Sequence, residues 1–347
     1  MKFIRLLLSF AFSLSIPGRS QDLDMEHRQF KVGPINYFGY GGLAVDKLRT
    51  VLPLHTGESV SFASFPMDAL RQAVQETIGS PPTDVAIVCC DAEQRLLIYV
   101  GLSGTTSRAL ATHPAPTGQA HLDPEGLKLY DEDMAALQQA ITHGKTEEDD
   151  SQGYAVSADP ELKAVNLAMR SYALDRGPEL IDVLRQSNDP KQRIAAAQLL
   201  GYSRSSSAQV EAPSQAVADP DETVRNNATR ALEVLASSSH SEPLTMNAQP
   251  AIQMLFSGKW SDRNKAGLLL MRLTDTASPA LLQTLRAQAL EPLIEGASWT
   301  GDPGHSDLFL ILLGRIAGLS KTALDDMVER NDVQAAVQAA RAAKPRQ

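Results

Sequence analysis

Three arginines recur in one setting. Arg193, Arg225 and Arg263 each precede an alanine by three residues (Ala196, Ala228, Ala266) and a leucine by seven (Leu200, Leu232, Leu270). The first two follow Asp-Pro pairs, Asp189-Pro190 and Asp219-Pro220. A guanidinium carries five N–H donors in a planar fork, so arginines at a regular interval could hold a row of anions or hydrogen-bond the carboxylates of neighbouring turns. The intervals are 32 and 38 residues, the length of one stacked helical hairpin rather than of a motif inside a single core. Such repetition favours a structural ladder built from Arg193, Arg225, Asp219 and Asp262 over a ligand site. Asp189, Asp219 and Asp262 stand four, six and one residues before their arginines, so the third turn need not repeat the contacts of the first two.

The densest polar cluster is Trp260-Ser261-Asp262-Arg263-Asn264-Lys265. Its plain reading is a helix start, with Ser261 or Asp262 as cap and Trp260 packed at the turn. Its functional reading is a contact patch, because Trp and Arg dominate binding hot spots. Trp260, Arg263 and Lys265 are therefore candidate partner-binding residues, with Asn226, Asn227 and Arg230 as the equivalent group one repeat earlier.

Other chemistry finds less support. No Gly-x-Ser-x-Gly elbow, His-Glu-x-x-His pair or phosphate loop occurs in the sequence. Gly39-Tyr40-Gly41-Gly42 lies between a strand-like and a helix-like run, but Ala44 takes the third glycine position and no alternating parallel sheet follows to build a nucleotide crevice. His113 and His121 have no cysteine partners and fit no ligand spacing. Glu147-Glu148-Asp149-Asp150 lacks the alternating oxygens and central glycine of a calcium loop and reads as a solvated turn. Cys89 and Cys90 are adjacent, and at about 3.8 Å between Cα atoms a bond joining them falls below the usual disulfide window. One packed thiol and one near the surface is the expectation, with a vicinal redox pair as the alternative. No catalytic residue, cofactor or metal is expected.

The elements that carry these residues follow from composition and pattern. The chain has 347 residues, enough for two domains, with a net charge of −9, a pI near 5.3 and scattered basic residues, which argues against nucleic acid as partner. Met1 to Ser20 reads as a secretory signal: Lys2 and Arg5, an apolar run from Phe3 to Ile16, then Gly18-Arg19-Ser20. That run is shorter than the roughly 17–25 residues needed to span a bilayer, so cleavage and export to a periplasmic or extracellular space are expected, without a transmembrane segment afterwards. Phe30 to Phe38 reads as a strand, irregular at Gly33-Pro34; helices are expected near Leu43–Leu52 and Pro66–Ile78; Asp84–Cys90 and Arg95–Val100 read as a strand hairpin. A linker follows from 105 to 126. Beyond it the pattern is helical to residue 343, with Met134, Leu137 and Ile141 on one face, a helix opened by Asp159-Pro160 and a separate helix from Pro178 to Gln186.

Strand, helix, helix, strand, strand, with Leu54-His55-Thr56-Gly57 between the helices and Ile98-Tyr99-Val100 closing the hairpin, resembles the polypeptide-transport-associated (POTRA) domain over residues 30–104. Gly39-Tyr40-Gly41-Gly42 departs from that family's usual Gly-Asn turn. The alternation of helix, Asp-bearing turn and helix with Arg-x-x-Ala-x-x-[Ala/Leu]-Leu resembles HEAT repeats, best from Pro178 to Leu235. Together the resemblances imply a multidomain exported bacterial protein, an α+β domain at 30–104 followed by an all-α solenoid at 127–343. They imply a non-enzymatic scaffold or adaptor that binds a protein or peptide on its solenoid surface, and at the sheet edge of the first domain, with an envelope association. An envelope lyase or hydrolase carried on the solenoid is the alternative.

Overall fold

The computed structural model describes residues 27–145, 147–204, 206–237, 246–275 and 279–343. The expected signal segment, residues 1–20, lies outside them. The chain divides into two compact units that cut across the expected division at 104 and 127. One contains Leu110–Met254 and Lys265–Leu282; the other contains the described part of Ser9–Ala109 together with Leu255–Asn264 and the stretch from Gln283.

The second of these is built on a four-stranded sheet in the order β2-β1-β4-β3. β1 (Phe30–Phe38) runs parallel to β4 (Arg95–Gly101), which pairs antiparallel with β3 (Asp84–Val88), and β2 (Ser59–Val60) closes against the start of β1. The β1–β4 register shifts between Val32 and Ile35, around Gly33-Pro34. β2 pairs only as far as Lys31, so the proline, which lacks an N–H, falls where no neighbour on that side needs one. Helices α1 (Asp46–Val51) and α2 (Met67–Ile78) cover one face, packing Leu48, Leu52, Leu70 and Val74 on Val32, Leu96, Ile98 and Val100. Cys89 and Cys90, at the end of β3, are joined by a disulfide, so the free-thiol expectation is corrected. Side chains alternate across a strand, so Leu97 and Tyr99 face the other way, where they are also buried. Helices α10 (Pro279–Ala297), from Gln283 onward, and α11 (Pro303–Ala317) belong to this unit; Trp299 and His305, between and on them, pack edge-on against Tyr99. α12 (Lys321–Glu329) and α13 (Val333–Ala342) pack on α11.

The other unit is a stack of helices: α3 (Pro124–Thr142), α4 (Pro160–Gln186), α5 (Pro190–Leu200), α6 (Ser207–Ala216), α7 (Glu222–Ser237) and α8 (Gln249–Met254), with α9 (Trp260–Leu273) entering it from Lys265 onward. α3, α5 and α7 pack in succession as one layer, and α4 and α6 pack beside them as a second. Ala196, Ala228 and Ala266 are fully buried, small enough to let helix backbones approach, while Leu200, Leu232 and Leu270 fill the spaces between. Asp-Pro opens α3, α4 and α5: Asp123, Asp159 and Asp189 each cap their helix through the side chain, with Pro in the first helical position. Residues 160–186 form one helix, where a break before Pro178 was expected. Pro178 is exposed, so the Leu174 carbonyl that loses its helical partner faces water rather than the core. Between α3 and α4 the chain makes a small hairpin, β5 (Glu148–Asp149) with β6 (Val156–Ser157).

Candidate interaction surface

The arginines of the repeat each reach back six residues to a turn carbonyl. Arg193 Nη1 donates to Ser187 O (3.0 Å), Arg225 Nη1 to Asp219 O (2.9 Å) and Arg263 Nε to Ser257 O (2.7 Å). The carboxylate partners differ. Arg193 forks onto Asp219 through Nε and Nη2 at 2.9 and 3.0 Å, both side chains being almost wholly buried. Asp219 is free for this because it does not cap the helix after it: Asp221 takes the N–H groups of Thr223 and Val224 (2.8 and 3.0 Å). Arg263 pairs instead with Glu295 (3.0 Å), and Asp262 accepts from Ser257 Oγ (2.6 Å). The start of α9 is capped from outside the expected pair, with Trp260 N donating to Asp84 (3.0 Å) and Lys259 N to Ser257 Oγ (3.1 Å).

The expected linker is extended and held in place along these same turns. His113 N donates to Ala218 O (2.9 Å), Asn188 N to Gly118 O (2.9 Å), and Leu122 N to Gln192 Oε1 (2.8 Å). Gly118 bridges Ser187 in parallel. A Cβ at Gly118 would stand 2.5 Å from Gln186 O, so only glycine lets the backbone lie this close. Residues 110–123 are thus an extended peptide held by two successive helical turns, through His113 and Gly118, and by the Gln192 side chain through Leu122.

Farther along α7 and α9 lies a buried charged cluster. Arg230 pairs with Glu148 of β5 and with Glu233, and Arg272 pairs with Glu233 (2.8 Å) and Asp150 (2.7 Å). Asp133 of α3 accepts from Asn166 (3.0 Å) and Gln198 (3.0 Å). Burial drives the carboxyl of Asp133 up to about 7 against the pull of those bonds, raises Glu148, and pushes Lys265 down to about 8, with Arg230 adding to that fall.

The candidate patch residues do not line up as a solvent-facing surface. Trp260, Arg263, Lys265 and Asn227 are 0%, 2%, 5% and 3% exposed, and Asn227 donates to Ile194 O (3.2 Å). Asn226 and Arg230 are partly buried. Trp260 stacks obliquely on Tyr99, 4.8 Å between ring centres, which accounts for its burial. The glycine turn holds an anion from the chain itself: Gly39 N and Gly41 N donate to Glu295 (2.7 and 3.1 Å), which also accepts from Thr106 Oγ1 and Arg263. Gly39 has φ +69° and a Cβ there would meet Leu102 O at 2.5 Å. The nearest approach to a catalytic constellation is Tyr99 OH against His305 Nδ1 (2.6 Å) with Asp302 3.8 Å from the other ring nitrogen. Trp260, Trp299 and Phe309 close around it, and its three members are at most 5% exposed. Among the described residues no group of three or more His, Cys, Asp or Glu could hold a metal ion, and no helix is long and apolar enough to cross a membrane.

The sequence reading missed Glu295, Glu233, Asp221 and Arg272. Asp221 alone left a signal, standing three residues before Val224 and next to the proline in Asp219-Pro220-Asp221.

Stacked helical pairs, an arginine reaching back to each turn, and an extended segment laid across the turns define an α-solenoid repeat. Residues 177–266 match the family model for HEAT repeats. No curated protein matches the chain. Among solved structures, a designed armadillo repeat protein is similar at 16% identity and a TM-score of 0.36, covering 53% of this chain and 95% of its own. A computationally designed armadillo repeat protein for modular peptide recognition is similar at 17% identity and a TM-score of 0.35, covering 63% and 98%.

Proposed function

We propose that the protein is an exported scaffold or adaptor whose helical repeats bind an extended segment of a protein partner. The observation that carries this reading is the 110–123 segment, whose backbone the repeats already hold, by turn main-chain groups at His113 and Gly118 and by the Gln192 side chain at Leu122. A surface that binds one extended backbone through its turns has the donors, acceptors and spacing to bind another. The periplasmic or extracellular location rests on the signal-like residues 1–20. The α+β region at 30–104, resembling a POTRA domain, is read as a second contact module on that resemblance. The test is to probe an array of short random-sequence peptides with the intact chain and to titrate the hits in solution. Saturable binding that falls when a hit is shuffled supports the reading; uniform background over the whole array overturns it.

A further inference from the structure

The β5–β6 hairpin is two limbs anchored by different forces. In the second limb Ala155, Ser157 and Asp159 are buried, Ser157 N donates to Asn166 Oδ1 (3.0 Å), and the Arg170 guanidinium lies 4.5 Å over the ring of Tyr154. That limb is fixed by packing. The first limb, residues 147–152, is otherwise exposed and sends only Glu148 and Asp150 inward. Those two carboxylates reach Arg230 and Arg272, which are themselves held apart by the buried Glu233 between them. Ladder contact between the limbs is two residue pairs, Glu148 with Ser157 and Asp149 with Val156.

Without the first limb, the face keeps three cations, Arg230, Lys265 and Arg272. Against them stand Glu233 and Asp133, and burial raises the Asp133 carboxyl to about 7, so that it is only partly ionised near that pH. A desolvated cluster with surplus positive charge is costly until carboxylates return to it. Glu148 and Asp150 return them from positions two apart on an extended chain, about 6.5–7 Å along a strand. We propose that Arg230, Lys265 and Arg272 form a receptor for an extended acidic protein segment of the pattern acid-x-acid, and that the chain's own residues 147–152 occupy it as an exchangeable internal ligand. This rests on the scaffold reading above and names the partner's chemistry. Arginine forks select planar carboxylates; a helical acidic segment, with its neighbours on one face three or four residues apart, does not match the spacing.

The probe is a fluorescein-labelled peptide of this chain's residues 145–152, titrated by anisotropy against the full chain. An internal ligand lowers the affinity of an external one by the fraction of time the site is open, so Glu148→Gln with Asp150→Asn is expected to bind the peptide about tenfold tighter than wild type. Adding Arg272→Gln is expected to abolish the gain, and so is a peptide carrying Glu147→Gln and Asp150→Asn, whose two remaining acids are adjacent. A second measurement needs no variant: excess peptide is expected to speed amide exchange in 147–152 of the wild type and at Gly153 and Ala158, whose N–H groups donate to Asp150 O and Glu147 O, and to leave Ser157, whose N–H donates to Asn166 Oδ1, unchanged. Equal binding by wild type and the double variant, or exchange in 147–152 unmoved at saturating peptide, overturns the proposal. If the random array yields only non-acidic binders that do not compete with this peptide, the receptor assignment fails while the scaffold reading stands. If neither array nor acidic peptide binds, both fail.

Discussion

Two residues test how the helical unit handles buried charge. Arg193 and Asp219 are 2% and 1% exposed in their side chains, and Arg193 also satisfies the Ser187 carbonyl. Arg193→Ala leaves a carboxylate uncompensated in the interior, and is expected to cost about 3–5 kcal/mol in urea unfolding. Arg193→Lys should recover only part of that, because one ammonium cannot bridge both Asp219 oxygens and reach Ser187 O as well. Asp133 gives a pH signature. Its carboxyl moves from 3.8 to about 7 through burial, so between those values the folded chain holds a proton that the unfolded chain releases. That proton favours the fold below the interval, and the advantage fades as pH rises through it. Burial also raises Glu148, Asp302 and Asp307, so the readout is the difference between wild type and Asp133→Asn. The variant is expected to lose less stability from about pH 5 to about pH 8, by on the order of a few kcal/mol. Burial of this cluster was not legible in the sequence. Glu147 to Asp150 is uniformly acidic, so the alternation that sends Glu148 and Asp150 inward and leaves Glu147 and Asp149 in water has no counterpart in residue type. The ladder was more legible, since Arg-x-x-Ala recurs, yet Asp219-Pro220 imitates the helix opener Asp189-Pro190 and hides that Asp221 is the cap.

At the scale of elements, the sequence marks starts better than continuations. Asp-Pro at 123, 159 and 189 opens three helices as composition suggests, but Gly177-Pro178 does not end one, because a proline on the solvent face of a long helix leaves its orphan carbonyl to water. The segment 110–123 is another continuation. Its Pro, Thr and Ala content identifies an extended chain, and nothing in it announces that backbone N–H and C=O groups will pair with turns from Ser187 to Ala218. The close approach at Gly118 is the point where this docking can be broken. Gly118→Ala forces a Cβ to within 2.5 Å of Gln186 O, a backbone atom that cannot step aside. Expected results are faster proteolytic cleavage between residues 110 and 123 and a loss of roughly 1–3 kcal/mol. Gly42→Ala serves as control: a Cβ there meets nothing within 4 Å, though φ of +81° still carries a backbone cost, so a smaller loss without the added cleavage is expected.

At the scale of the whole molecule, the strand β4 carries a clue that a division at residue 104 overlooks. Arg95-Leu96-Leu97-Ile98-Tyr99-Val100 does not alternate; it is apolar on both sides, as strands are when both faces of a sheet are covered. Leu96, Ile98 and Val100 meet α1 and α2, while Tyr99 is covered from residues more than 150 positions later: Trp260, Trp299 and His305. Other long-range bonds act alike, from Trp299 Nε1 to Tyr37 O (3.1 Å) and between Asn36 and Thr300. We therefore propose that residues 27–109 are not an independent domain. Produced alone, that fragment would expose Phe38, Leu97 and Tyr99, fully buried in the intact chain, and leave the Gly39 and Gly41 amides without Glu295. A fragment this short has little core to spare, and losing the burial of three large side chains removes on the order of 5–9 kcal/mol, comparable to the whole stability of a small domain. The expected outcome is a fragment that binds a hydrophobic dye and melts without a cooperative transition, against a cooperative melt for residues 27–343. A sharp melt of the isolated fragment, with near-ultraviolet dichroism from Tyr99 matching a folded core, would instead support the sequence-based boundary.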